Sequence, residues 1–425
     1  MDSTQSGSGR LNRAQRSAFY GAFIGWIFDY YEVFLLSMLA VPLRAAFGLS
    51  TFQVGLLSSF QLLFLAIGGV FFGVLADRIG RKKVLTLTVV IYSAGTMARA
   101  IAPDYVTLMV LTCVAALGIG GEYGVGQTLV AEMIPGKRRG MWSGFLYGGI
   151  YVGIVLGSLV GGYLAPAIGW RWTFALSGLP VLLAVWVRSR TPESEVWQNR
   201  HREPGRARAR TTVSARLVRV WLLCFVAASL QFFAYYGIAT MLPTYLVSKG
   251  SSIASASSWL IFSAVAGAVG CVIGSWLTDK IGRRGSLCIV AGTACIGGLV
   301  LAAAWSHLLS GTWILIPFFI LFAGSNGAAV FGSLFSELFP SDIRATAVSS
   351  ALQVGRGMSF FPPLIAAALL PTLGYQPIVF LSAALFGVLA LISWAFRETR
   401  GGQLGILGSQ SVDPAVIVSA EKGLS

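Results

Sequence analysis

A chain of 425 residues with 56% apolar and 11% charged residues and a mean hydropathy of +0.75 is too apolar for a soluble enzyme and too weakly charged for a disordered protein. Its formal net charge of +15 suggests a nucleic-acid partner only until the charges are placed along the chain. A bilayer core of roughly 30 Å needs about 20 mostly apolar residues per helix, and stretches of that kind recur throughout the sequence.

Arg10, Arg13 and Arg16 precede the first apolar stretch, 17 to 41. It is too long for a signal peptide, carries Asp29 and Glu32 and lacks a small-residue cleavage site, so it reads as an uncleaved span. Stretches at 52 to 76, 83 to 102, 104 to 133, 139 to 166 and 170 to 188 follow. After an arginine-rich interval containing Pro192, Pro204 and Gly205, six more run at 217 to 246, 253 to 278, 286 to 306, 312 to 338, 345 to 370 and 376 to 396. The expectation is an all-α membrane protein of twelve transmembrane helices in two pseudo-symmetric six-helix halves. Residues 1–188 form the N-terminal half, 189–215 a cytoplasmic linker, 216–396 the C-terminal half and 397–425 a cytoplasmic tail.

Every Lys and Arg except Arg44, Arg99, Arg171, Lys249 and Arg356 falls on one side of this map. The positive-inside rule then puts both termini in the cytoplasm, and the charge becomes a topology determinant rather than a nucleic-acid patch. The run around Arg206, Arg208 and Arg210 could also touch anionic lipid. Short outer loops such as Pro103-Asp104 leave no room for an external catalytic domain, and the five cysteines have no metal or redox spacing. No nucleophile elbow or phosphate loop is present, so no enzyme and no cofactor is expected.

The halves are written twice. Glu132, Pro135 and Arg139 recur as Glu337, Pro340 and Arg344, and Glu193 as Glu398, all 205 positions on. Gly73-Val74-Leu75-Ala76-Asp77-Arg78-Ile79-Gly80-Arg81-Lys82 is echoed by Ser275-Trp276-Leu277-Thr278-Asp279-Lys280-Ile281-Gly282-Arg283-Arg284. Parallel duplication of a membrane half is typical of transporters that rock two halves about a central site. Small residues mark close packing: Gly149, Gly153, Gly157 and Gly161 in helix five, and Ser263, Gly267, Cys271 and Ser275 in helix eight. These stripes predict that the two helices cross between the halves.

The doubled loop and the doubled Glu-x-x-Pro-x-x-x-Arg resemble signatures of the major facilitator superfamily. Leu11-Asn12-Arg13-Ala14-Gln15, Phe47-Gly48-Leu49, Gly118-Ile119-Gly120-Gly121-Glu122-Tyr123-Gly124, Gly169-Trp170-Arg171 and Thr191-Pro192-Glu193-Ser194-Glu195-Val196-Trp197 resemble its proton-coupled sialate and monocarboxylate symporters. Gly355-Arg356-Gly357 is similar to helix eleven of the aromatic-acid symporters. The resemblance implies a twelve-helix secondary carrier. It also implies that Asp77, Arg81, Glu132, Arg139 and Glu193, with Asp279, Arg283, Glu337, Arg344 and Glu398, form ion-pair gates at the cytoplasmic helix ends. Where the branch commonly has Asp-Gly-Phe-Asp in helix one, this chain has Asp29-Tyr30-Tyr31-Glu32, whose added bulk narrows the site. The central insertions of some sialate carriers are absent, and Gly157-Ser158 replaces the Gly-Pro of superfamily antiporters, which disfavours drug efflux.

An ionisable residue near mid-membrane persists only with a partner or a function. Asp29 lies about 12 residues into helix one, roughly 18 Å at 1.5 Å per residue, and Glu32 follows one turn later. Aligned with Ala234-Tyr235-Tyr236-Gly237, the tyrosines recur in the second half but the carboxylates do not. Asp29 or Glu32 is therefore the candidate proton site, against a structural ion pair, with Glu122 third. Arg356 has Tyr151 at its repeat position, and its planar fork makes it the candidate anion anchor, against an internal salt bridge to Asp29 or Glu32. Gln353, Tyr30, Tyr31, Tyr147, Tyr151, Gln231, Tyr235 and Asn326 are candidate cavity-lining partners, and Arg99 is expected to snorkel to the outer interface. These features point to a monomeric bacterial inner-membrane carrier importing a small organic carboxylate with protons. The alternatives are a porter for sugar or another neutral solute, or a transporter-like sensor without net flux.

Overall fold

The computed structural model describes residues 13–133, 136–179, 214–307, 312–340 and 343–398, with positions 193 and 198; side chains at 13–14, 123–124, 127–128, 130, 131–133, 136–145, 279, 307 and 345 are not described. Most of the linker and the tail expected beyond residue 398 lie outside the described residues.

Helix one is Arg13–Phe47, helix two Thr51–Ile79, helix three Arg81–Ala98 and helix four Tyr105–Met133. Helix five begins at Gly136–Leu159 and continues through a wider π turn, Val160–Leu164, into Ala165–Ser177. Gly169 interrupts that last stretch at φ 81°, a conformation glycine adopts without steric cost, and helix six starts at Trp170. Helix seven comprises Ala215–Ala239 and Leu242–Ser248; helix eight is Ile253–Ile281, nine is Arg283–Ala303 and twelve is Gln376–Ile392. Among the described residues eleven helical stretches are long and apolar enough to cross a membrane, the one at Leu146–Ser177 joining helix five to the start of six. The fold is the expected membrane bundle of twelve helices in two six-helix halves.

Besides helix seven, which breaks at Thr240 and Met241, two more expected spans are discontinuous. Helix ten, read as unbroken over 312 to 338, is Leu315–Gly324 and Gly327–Leu338 with Ser325 and Asn326 unwound between them. The Ser325 hydroxyl donates to the Phe322 carbonyl, and the Asn326 amide donates to the Phe322 and Ala323 carbonyls. Side chains thus occupy carbonyls that the helical ladder would use, and flanking glycines do not oppose the break. Helix eleven is Arg344–Gly357 and Phe361–Leu373, joined by a tighter turn at Met358–Phe360. Pro362 and Pro363 open its second piece, where a missing N–H costs least.

The repeat extends to local geometry. Ser50 and Ser252 cap helices two and eight by accepting the backbone N–H of Gln53 and Ser255. Gly80 and Gly282, at φ 105° and 94°, turn the chain into helices three and nine. At the opposite end, Asp104 accepts the Thr107 N–H at the start of helix four, and this bond holds its carboxyl below the usual range.

Among the described residues the halves meet along several seams. The Ser37 hydroxyl of helix one donates to the Thr240 carbonyl. Helix two packs on helix eleven, with the Phe60 and Phe360 rings edge to face at 5.6 Å. Helices five and eight cross as expected, with Ser257 Oγ 2.6 Å from the Ser158 carbonyl oxygen. Of the expected residues Gly267 of helix eight takes part in this crossing, but the helix-five glycines do not. Gly149, Gly153, Gly157 and Gly161 face Phe23, Ile27, Tyr31 and Met38 of helix one, inside the N-terminal half; Gly162 faces Ser257 and Gly267 faces Tyr151. A four-residue glycine stripe marks a close helix contact without naming the partner. A Cβ on Gly153 would collide with the Ile27 carbonyl, so Gly153→Ala should lower the thermal stability of the purified protein by about 1–3 kcal/mol, whereas the same change at open Gly148 should be nearly silent.

Candidate functional site

The centre of the molecule is an ion pair between the halves. Arg356, on the first piece of helix eleven, presents Nη2 to Asp29 Oδ1 at 3.4 Å and Nη1 to Oδ2 at 3.5 Å. Both side chains are 1% exposed. The same Nη2 donates to Tyr236 Oη at 3.2 Å, and the guanidinium lies over the Tyr30 ring, 5.4 Å from its centroid. The planar fork is thus held by a carboxylate, a phenol and a π face, a set that ammonium could not satisfy.

Tyr30 is also one wall of a cavity between the halves. Its other walls include Tyr147 and Tyr151 of helix five, Gln231 and Tyr235 of helix seven, and Ser325 and Asn326 in the helix-ten break. The cavity between these walls is small, about 20 Å³, within a wider cleft open to solvent. Tyr151 donates to Asn326 Oδ1, joining the halves across the cavity, and Gln231 Nε2 donates to the Ser325 carbonyl at 2.7 Å. The structure therefore gathers Tyr30, Tyr147, Tyr151, Gln231, Tyr235 and Asn326 around one space, with Arg356 and Asp29 behind Tyr30.

Two expected lining residues lie elsewhere. Tyr31 turns into the N-terminal half, its hydroxyl 2.6 Å from Ser177 Oγ, so only one of the two tyrosines in helix one narrows the cavity. Gln353, one turn before Arg356, is pressed against Gly69 of helix two, and among the described residues neither end of its amide has a hydrogen-bond partner.

The two carboxylates of helix one also have different partners. Glu32 Oε2 pairs with Arg99 Nη1 at 3.1 Å, inside the N-terminal half, with side chains 1% and 0% exposed. Three residues is 60° short of a full turn, enough on a helix packed on several sides to aim Asp29 across the interface and Glu32 into its own half. Arg99 accordingly does not snorkel outward; its guanidinium is buried over Phe174, 5.2 Å from the ring centroid. Glu122, buried on helix four, accepts from Thr88 Oγ1 at 2.5 Å and lies close enough for its charge to act on Asp29.

The charged ends of the helices form matched sets. Arg81 Nη2 is 2.8 Å from Asp77 Oδ1, while the Glu193 carboxylate accepts the Arg81 and Lys82 backbone N–H groups at the start of helix three. In the second half Arg283 Nη2 is 2.9 Å from Glu337 Oε1, and Glu398 accepts the Arg283 and Arg284 N–H groups at the start of helix nine. A carboxylate at a helix N-terminus meets unsatisfied donors and the positive end of the dipole. Arg344 donates to the Phe339 carbonyl. Each of these contacts joins residues of one half to each other or to the linker or tail residue that follows that half; the side chains of Glu132, Arg139 and Asp279 are not among those described.

Tyr236, absent from the expected set, was signalled by the Tyr30-Tyr31 and Tyr235-Tyr236 repeat. Both tyrosines of the second pair reach the centre, one on the cavity and one on Arg356.

Against known proteins, the sequence profile described as Major Facilitator Superfamily matches residues 22–361. The cis,cis-muconate transport protein of Acinetobacter baylyi is 31% identical over 82% of this chain and 86% of its own length. The niacin transporter NiaP of the same organism is 28% identical over 91% of this chain and 94% of its own. Among solved structures, a proton:xylose symporter, XylE, bound to 6-bromo-6-deoxy-D-glucose superposes with a TM-score of 0.77 at 19% identity, covering 93% of this chain and 99% of that one.

Proposed function

The chain belongs to the Major Facilitator Superfamily and is a membrane transporter, and from that premise we propose that it imports a small organic carboxylate together with a proton by alternating access. The observation that carries this reading is the buried Asp29–Arg356 pair, which bridges the halves beside the cavity. The names of the muconate and niacin carriers support a carboxylate cargo; the xylose symporter, at 19% identity, supports the fold alone.

Charge balance gives the mechanism. With Asp29 ionised and the cavity empty, Arg356 is neutralised by protein. With Asp29 protonated, Arg356 is free to hold the substrate carboxylate, and the centre is again neutral. The two mixed states, an unpaired guanidinium or two carboxylates on one arginine, leave a net buried charge, which is strongly disfavoured in a membrane interior. Only the empty deprotonated and the loaded protonated carriers then rock readily, so proton and anion move together. Asp29 is the proton site in this scheme. Glu32 with Arg99 is a fixed pair within one half, and Glu122 is the nearest further carboxyl.

The charged sets at the helix ends act as gates that bias which face is open, and both termini with the linker lie in the cytoplasm. One chain contains both central charges and the whole cavity, so the monomer is the transporting unit. The test is uptake into proteoliposomes. An acid-outside gradient should drive accumulation of a labelled monocarboxylate, a protonophore should abolish it, and excess xylose should not compete. Gradient-independent uptake, or competition by xylose but by no carboxylate, would overturn the reading.

A further inference from the structure

Glu122 has a partner suited to both of its protonation states. Asp29 and Glu32 are held chiefly by guanidinium groups, which only donate and so serve an ionised carboxylate. Thr88 of helix three, fully buried, stands 2.5 Å from Glu122 Oε1 and 3.0 Å from the Leu85 carbonyl oxygen. A hydroxyl carries a single hydrogen, and a carbonyl can only accept. When Glu122 is ionised, Thr88 gives that hydrogen to the carboxylate, at a separation usual for a hydroxyl on a charged oxygen. When Glu122 is protonated, its own O–H donates to Thr88 Oγ1 and the threonine hydrogen turns to Leu85. Both states are thus hydrogen-bonded in place, at a carboxyl that is itself buried. Helices one and four run antiparallel, and Gly126 of helix four faces Ala22, so Glu122, one turn earlier, is level with about Trp26 and about one turn closer to the cytoplasmic ends than Asp29. Its charge acts on Asp29 directly. The elements packed on helix four here bring few other ionisable groups. Helix one brings Asp29, with Arg356 behind it; helix three brings Thr88, with Tyr92 a turn further out beside Gly118; helix two brings the Phe72 ring, with Asp77 and Arg78 at its end. The side chains of Lys137, Arg138 and Arg139 at the start of helix five are not among those described.

We propose that Glu122 is a proton relay in series with Asp29, taking the proton from it and passing it towards the cytoplasm, with Thr88 as a two-way switch. This rests on the proton-coupled reading above and adds a step to it. After the substrate leaves on the cytoplasmic side, Arg356 stands beside a protonated Asp29. The O–H bond of Asp29 breaks as an O–H bond forms on Glu122, so Asp29 pairs with Arg356 again and the summed charge of the three groups is the same before and after. Thr88 turns its hydrogen from Glu122 to Leu85. Loss of the proton from Glu122 to the cytoplasmic side turns it back and resets the relay. Neither Glu122 nor Thr88 lines the cavity, so the relay governs net proton-driven transport and leaves substrate binding alone.

Infrared spectra of the purified full-length protein and of Glu122→Gln, Asp29→Asn and Thr88→Val, recorded across pH, test the relay whatever the cargo is. On acidification the wild type should gain a protonated-carboxyl C=O stretch with a component that is absent from Glu122→Gln, present in Asp29→Asn and displaced in Thr88→Val. A Glu122 that stays ionised, or stays protonated, at every pH overturns the relay, as does a Glu122 band that Thr88→Val leaves in place. The second measurement uses labelled benzoate in proteoliposomes. Glu122→Gln and Thr88→Val should slow uptake driven by an acid-outside gradient by about tenfold or more, with exchange within about threefold of wild type, and Thr88→Ser should restore the rate. Equal losses of uptake and exchange mark a structural role and overturn the proposal. Proton-independent uptake by the wild type fells the proton-coupled reading itself, whereas uphill uptake by Glu122→Gln at the wild-type rate removes only the relay. If Glu122→Gln does not fold, the contrast between Thr88→Val and Thr88→Ser decides; if benzoate is not carried, the infrared spectra decide alone.

Discussion

Asp29→Asn should abolish pH-driven accumulation of substrate in proteoliposomes while leaving substrate exchange across the membrane within about threefold of wild type. Asparagine reproduces the shape of the protonated carboxyl but cannot release a proton. The loaded carrier, with Arg356 held by substrate, remains neutral and can rock, so exchange continues. The empty carrier leaves Arg356 without its 3.4 Å partner and must move an uncompensated guanidinium, so the return step stalls. Accumulation against a gradient needs that return and exchange does not. Glu32→Gln is expected to behave differently: it orphans Arg99 within one half, so it should lower stability and all transport modes together. If Asp29→Asn still accumulates substrate uphill, the proton travels elsewhere, with Glu122 the nearest carboxyl to examine.

Arg356→Ala should reduce carboxylate binding and transport by at least about a hundredfold, the scale of 2.7 kcal/mol or more. It should also destabilise the protein by about 3–5 kcal/mol, because Asp29 is left charged and buried without its partner. Arg356→Lys should restore much of the stability and little of the binding, since ammonium cannot make a forked contact while holding Tyr236 and covering Tyr30. The double variant Asp29→Asn, Arg356→Gln separates architecture from chemistry. It removes both charges, so thermal stability should return towards wild type while transport stays lost. Recovered transport in the double variant would show that the pair only holds the halves together.

The repeat and the charge map made the twelve helices and their grouping legible, because bilayer thickness and the twofold pattern leave few alternatives. The site was legible as a set of residue types and less so as a geometry. Asp29 and Arg356 stood out because a lone mid-membrane charge needs a reason, and they prove to be partners. Which acid would face which arginine was not readable. Asp29 and Glu32 differ by 60° around one helix, and only the packing of helix one against its neighbours decides that Glu32 meets Arg99. The break in helix ten was hidden because Ser and Asn are tolerated in an apolar helix until their side chains take the carbonyls of the preceding turn. The glycine stripe of helix five was visible, but its partner was not. Small residues record that another backbone comes near, and helix one, adjacent in the same half, occupies that place.

Gln353 gives the seam between helices two and eleven a built-in readiness to part. Its amide is 1% exposed, wedged against Gly69, with both polar ends unmatched among the described residues. A buried polar group in that condition raises the energy of the packed arrangement by about 1–3 kcal/mol, and water entering an opened seam removes the penalty. The packed seam is thus less stable by that amount than one with a matched or apolar residue in this place, each 1.4 kcal/mol being about a tenfold factor. A carrier that closed too well at this seam would be a sound lock and a poor shuttle. If the carrier alternates access as proposed, the unmatched glutamine lowers the cost of opening this seam.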